Sequence, residues 1–175
     1  FAQMAHAGVE HLAGLGHRRI VALMRETASD DAHARQDHTH ELLRAAQKLG
    51  VEILVRQVPE AALAGADIVR SGGLIEGCSA VLSNNPAAVV GLACAAQAHG
   101  LSVPADLSVL TLGITQDSVR RGEAFSELSV NRETMGAEAG SLLLRRLRGE
   151  PDPSQHRGLM PAVLTDRGST ARCSN

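Results

Sequence analysis

The chain has 175 residues, 44% of them apolar and 21% charged. That length means one domain, or one domain and part of another, and that balance is ordinary for a globular protein, so intrinsic disorder as the main state is excluded. No apolar run approaches the ~18–20 residues that cross a bilayer, and 17 Lys+Arg against 19 Asp+Glu give nucleic acid no electrostatic footing on this chain itself.

Helical and extended periodicities alternate along the chain. Residues 4–15 place Met4, Val9, Leu12 and Leu15 on one helical face. Gly16 ends that helix, because glycine enters a left-handed conformation without steric cost. Residues 19–24 read as a short buried strand, 25–34 as a polar loop, and 37–49 as a second helix closed by Gly50. A strand at 51–55, a helix at 61–73 and a buried strand at 79–83 follow. Asn84-Asn85-Pro86 then introduces the apolar helix 87–98, with Asn85 in the N-cap role and Pro86 at the first helical position. Beyond Gly100 come a strand at 107–112, a polar loop at 113–123, a strand-like stretch at 125–130 and a helix at 133–148. Gly149, Pro151 and Pro153 stop that helix, and 161–165 is a last strand.

Strand–helix–strand alternation with short links predicts an α/β fold of three layers, αβα, around a mostly parallel sheet with right-handed crossovers. Ligands on such sheets bind beyond the carboxyl ends of the strands, where helix N-termini point. The loops 24–38, 56–60, 83–86 and 113–124 are therefore the ones expected to carry function.

Chemistry-bearing motifs are sparse. Phe1 and Phe125 are the only aromatics, so stacking platforms for single-stranded nucleic acid or sugars are nearly absent. Cys78, Cys94 and Cys173 are too scattered for a disulfide framework or a CxxC zinc site, which points to a reducing compartment, and Cys94 reads as a small core residue. His40-Glu41-Leu42-Leu43-Arg44 begins like HExxH, but Arg44 replaces the second histidine. His38 and His40 diverge by about 200° on a helix. His17 is expected to pack and hydrogen-bond within its turn. No phosphate-binding loop, nucleophile elbow or carboxylate pair suited to acid–base work is present. No metal, other cofactor or catalytic residue is expected.

Four blocks in register resemble the effector-binding region of the LacI family of bacterial transcription regulators. They are Glu10 to Ile20, similar to HLxxLGHRRIA; Ala80 to Asn85, similar to AxxxxND; Gly100 to Val109, similar to GLxVPxDxSV; and Met135-Gly136 onward to Arg167-Gly168-Ser169-Thr170, similar to LPxxLxxRxST. The resemblance implies a periplasmic-binding-protein type I-like fold. It assigns residues 1–124 to the C-terminal effector-binding subdomain, 125–158 to a crossover strand and helix belonging to an N-terminal subdomain outside this chain, and 159–175 to a return strand and tail. The chain opens at Phe1, in what reads as mid-helix, and is expected to be part of a longer polypeptide. The leucines of the 133–148 helix would then lack their usual cover, and they are expected to pack on this chain's own sheet edge or on a second copy.

The resemblance further implies a small-molecule effector, a sugar or related metabolite, held by Arg35 or His38 together with Asn84, Asn85 and the position of Gly113. Two departures matter. The family's acid after the 107–112 strand becomes Gly113, and the acid of ND becomes Asn85, so the effector is not read like a typical sugar. The implied protein is a non-enzymatic cytoplasmic homodimer that meets operator DNA only through a helix-turn-helix outside this chain, with no membrane partner. A transporter's solute-binding protein of the same fold is the alternative.

Overall fold

The computed structural model describes residues 1–26, 32–72, 77–113, 125–150 and 160–173. The elements in chain order are α1 (Ala2–Gly14), β1 (Arg19–Arg25), α2 (Ala32–Leu49), β2 (Glu52–Val58), α3 (Ala62–Arg70), β3 (Ala80–Ser83), α4 (Pro86–Ala98), β4 (Ser108–Leu112), β5 (Ser126–Ser129), α5 (Arg132–Leu147) and β6 (Val163–Thr165). The strands form one six-stranded sheet in the order β2-β1-β3-β4-β5-β6. All neighbours are parallel except β5 and β6.

Side chains alternate across a strand, so each strand feeds two cores. From β1, Ile20, Ala22 and Met24 join Val9 and Leu12 of α1 and Leu42 of α2 on one face. Val21 and Leu23 join Val89, Leu92 and Ala96 of α4 on the other. β1 and β3 are buried on both sides, which is why they read as continuous apolar runs. The expected three-layer αβα architecture is present.

On the α4 side the two helices touch backbone to backbone. A Cβ added to Gly65 would lie 1.7 Å from the Ala88 carbonyl oxygen, and one added to Gly91 would lie 1.7 Å from that of Ala62. Only glycine permits this crossing. Because α4 is apolar almost all round, its outward side must still face away from the sheet. Cys94 sits there, exposed, and is not the core residue expected of it.

α5 differs from the other helices. Asn131 caps it by accepting a hydrogen bond from the Thr134 N–H at 3.0 Å, yet none of its residues is buried. Leu143 is 59% exposed and Leu147 76%. The expectation that α5 packs on this chain's own sheet edge is therefore overturned. β5 joins the sheet through β4, but α5 runs on beyond it and leaves its apolar side open.

Candidate functional site at the carboxyl edge of the sheet

Parallel strands bring the ends of β1, β2, β3 and β4 to one edge. Asn84, one residue past β3, is half-buried, and its Oδ1 accepts the Arg25 N–H at 2.7 Å. It thus extends the β1–β3 pairing by one side chain. Among the described residues, no hydrogen bond is formed by the Asn84 amide NH₂. Beside it, Arg25 pairs with Glu60 at 3.1 Å, both half-exposed.

Asn85 is fully buried. Its Oδ1 accepts the Ala88 N–H at 3.2 Å, capping α4, while Nδ2 donates to the Val58 and Pro59 carbonyls at 3.2 and 3.0 Å. The Ser83 hydroxyl accepts the Asn85 N–H and donates to the Leu23 carbonyl. As the chain is folded here, Asn85 offers no surface for the expected ligand contact. The carboxamide has no exposed surface and every polar atom committed, so Asn85 positions Asn84 by stitching β2, β3 and α4 together.

Gly113 ends β4 at φ +63°, a left-handed conformation that side chains resist. Its N–H donates to the Leu128 carbonyl at 2.8 Å, and its own carbonyl accepts from Arg132 Nη2 at 3.1 Å. A Cβ at this position would lie 3.9 Å from the thioether sulfur of Met4. Beside Gly113 opens a groove of about 260 Å³ lined by Phe1, Gln3, Met4, Val130, Met135, Met160 and Ala162. It lies where α1 begins, where β5 passes into α5, and where the chain returns toward β6.

His38 is half-buried on α2 and stacks on Phe1, with ring centroids 3.8 Å apart. It backs the aromatic wall of the groove. Arg35 lies in the first turns of α2, but its side chain falls outside the described residues, as do the loops 27–31 and 114–124.

Gly113 and His38 thus each adjoin the groove through one lining residue, Met4 and Phe1 respectively, and Asn84 lies along the same edge. Arg132, Val130 and Met135 were not anticipated. Their signal was legible: a strand followed by Asn131 and a helix repeats the pattern read at Asn85.

The amino edge of the sheet is a polar clasp that leaves a pocket of about 140 Å³ beside His17, Ser79, Asp106 and Cys173. His17 donates from Nε2 to the Ala171 carbonyl at 3.0 Å, which leaves Nδ1 to accept from the Ser79 hydroxyl at 2.8 Å. His11 meets the Thr170 hydroxyl at 3.2 Å. Burial lowers the pKa of both histidines; the Ala171 hydrogen bond partly opposes this at His17, and the Asp166 carboxylate does so at His11. Ser126, Ser169 and Ser108 complete the clasp to the tail. The His17 partners are near in space but far in sequence. Among the described residues no three His, Cys, Asp or Glu side chains converge as a metal site.

The model of the periplasmic binding protein-like domain family matches residues 9–170. No curated protein matches the sequence significantly. Among solved structures, a LacI family transcriptional regulator from Bifidobacterium animalis subsp. lactis is 21% identical with a TM-score of 0.80, the alignment covering 99% of this chain and 62% of that one. The dimeric Lac repressor with an 11-residue C-terminal deletion is 24% identical (TM-score 0.76; 99% and 62% covered). A LacI family regulator from Enterococcus faecium with bound ribose is 19% identical (TM-score 0.68; 99% and 64% covered). The chain therefore spans less than two thirds of the length of these relatives. Its fold is the one they share, and the chain belongs to the periplasmic binding protein-like domain family.

Proposed function

We propose that this chain is the effector-binding lobe of a LacI-type transcription regulator, and that a small molecule binds at the carboxyl edge, in and beside the groove between Met4, Met135 and Met160. The observation that carries this reading is an edge with recognition capacity to spare. The Asn84 amide hydrogens, the Arg132 guanidinium and an open apolar groove lie along one side of the sheet. The amino edge, by contrast, is largely taken up by the chain's own tail, and the pocket left there is about half the size, about 140 Å³ against 260 Å³. The ribose held by the Enterococcus faecium relative supports a small-molecule effector.

In this reading the bare leucines of α5 are covered by a second lobe, to which α5 belongs, and the groove lies at the hinge between the two. Effector binding then changes the angle between lobes, and the free energy linking effector and operator is reciprocal. The role is binding without catalysis. Operator contact comes from a helix-turn-helix elsewhere in the polypeptide. The nearly all-apolar α4 offers its outward face, with Cys94, to a second copy in a homodimer.

A thermal-shift screen of sugars, nucleosides and small acids tests the site, since a ligand that prefers the native state raises the melting temperature. A hit is expected to lose its shift in Asn84→Ala or Met135→Glu. A hit that keeps its full shift in both places the effector elsewhere and overturns the assignment.

A further inference from the structure

The groove's chemistry points to a class of ligand. We infer that the groove takes a small hydrophobic carboxylate, an aryl- or branched-alkyl acid, with its apolar body among the methionines and its carboxylate toward Arg132. This rests on the carboxyl edge being the effector site.

Three of the chain's four methionines, Met4, Met135 and Met160, line one groove with the Phe1 ring, Val130 and Ala162. Gln3 is the only polar side chain among its described lining residues. Thioethers and an aromatic ring make a polarizable, adaptable surface that suits flat or branched apolar bodies. Among the described lining residues no carboxylate is present, and Gly113 brings no side chain to the mouth, so a polyol buried against these residues would leave hydroxyls unpartnered. At about 260 Å³ the part of the groove that this chain forms falls below the ~300–1,000 Å³ of drug-sized sites, so the apolar body it holds is small.

Charge sets the polar end. Arg132 stands in the first turn of α5, exposed, and among the described residues its guanidinium bonds to the Gly113 carbonyl alone. Gly113 in turn faces Met4. One face of the fork is therefore spent on backbone, and the remaining N–H groups are available to an anion. The positive end of the α5 dipole adds to this field. Glu133 follows in the same turn and partly offsets it; neither side chain lines the groove itself, and Arg132 reaches its rim through Gly113, which faces Met4.

The test is NMR of the chain carrying ¹³C-methyl methionine, titrated with phenylacetate, its neutral amide phenylacetamide, and ribose. Met24, buried at 1% exposure, is the internal control. Phenylacetate is expected to shift the methyls of Met4, Met135 and Met160 saturably and leave Met24 still. The amide should bind about 3- to 5-fold more weakly, the scale of an exposed ion pair. Arg132→Gln should abolish that difference; it removes an exposed side chain, and retained Met24 dispersion certifies its fold. Equal binding of acid and amide, or a difference that survives Arg132→Gln, overturns the proposal. Tighter binding of ribose at the same three methyls overturns the ligand class and leaves the site standing. No shift at these methyls from any of the three, with a screening hit bound elsewhere, overturns the site as well.

Discussion

Replacing Asn85 by aspartate separates the two jobs of one buried carboxamide. The substitution keeps an oxygen to cap Ala88 N–H, and a carboxylate at a helix N-terminus gains about 0.3–1 kcal/mol from the dipole. It removes both donors to the Val58 and Pro59 carbonyls and sets a negative oxygen against them. Each buried carbonyl left without its donor costs about 1–3 kcal/mol. The net loss at neutral pH is on the order of 3 kcal/mol, against a typical total of about 5–15. Protonation relieves it, because a carboxylic acid again donates to one carbonyl. The carboxyl at this position is thus held above its unfolded pKa of about 3.9 in the folded state, and its penalty grows as pH rises through the folded value. Urea denaturation of wild type, Asn85→Asp and Asn85→Ala at pH 7.5 and pH 5.0 measures this, each variant referred to wild type at the same pH. The aspartate deficit should shrink by at least about 1 kcal/mol at the lower pH, while the alanine deficit, carrying no charge, should not move. An aspartate variant within about 0.5 kcal/mol of wild type at pH 7.5, or a deficit equal at both pH values, would refute the assignment of Nδ2 to those carbonyls.

Other outcomes follow from the same contacts. Gly65→Ala or Gly91→Ala forces α3 from α4 and should cost at least about 2 kcal/mol, lowering the melting temperature by roughly 4–8 °C in calorimetry, whereas Gly136→Ala and Gly140→Ala, with nothing within 4 Å, should not destabilise the chain. Because His11 and His17 titrate below their unfolded value in the fold, the chain should lose stability as pH falls from about 6.5 toward the folded pKa values; His17→Gln should flatten that slope in melting curves between pH 7.5 and 5.5. Leu143→Glu and Leu147→Glu should change the unfolding free energy by less than about 0.5 kcal/mol, since both side chains are already more than half exposed. A loss above 1 kcal/mol would mean α5 is packed in solution. If α4 faces a second copy, mild oxidation should cross-link Cys94 to Cys94 and a denaturing non-reducing gel should show the dimer; a free, fully alkylatable Cys94 at concentrations where sedimentation shows dimer would place the contact elsewhere.

Local signals in the sequence settled the order of elements. Buried parallel strands must be apolar on both sides, so β1, β3 and β4 stood out as short continuous runs, and Asn85-Pro86 marked the start of α4 through capping chemistry that needs only four residues. Helix starts without such a cap were less legible: α2 begins at Ala32, inside what composition alone reads as loop. The edge proposed to bind was also legible, because parallel topology sends the parallel strands' carboxyl ends to one side. Which side chains on that edge remain available was not. Asn84 and Asn85 are adjacent and chemically identical, and only the approach of the end of β2, 27 residues away at Val58, consumes one amide and spares the other. Cys94 and the α5 leucines teach the same lesson, since an apolar helix face is written into periodicity while its cover depends on distant chain. The sequence by itself therefore determined the alternation of strand and helix and the edge at which the parallel strands' carboxyl ends gather. The tertiary structure alone decided which polar atoms are already partnered, because hydrogen bonds between distant segments depend on register and approach, which no local pattern encodes.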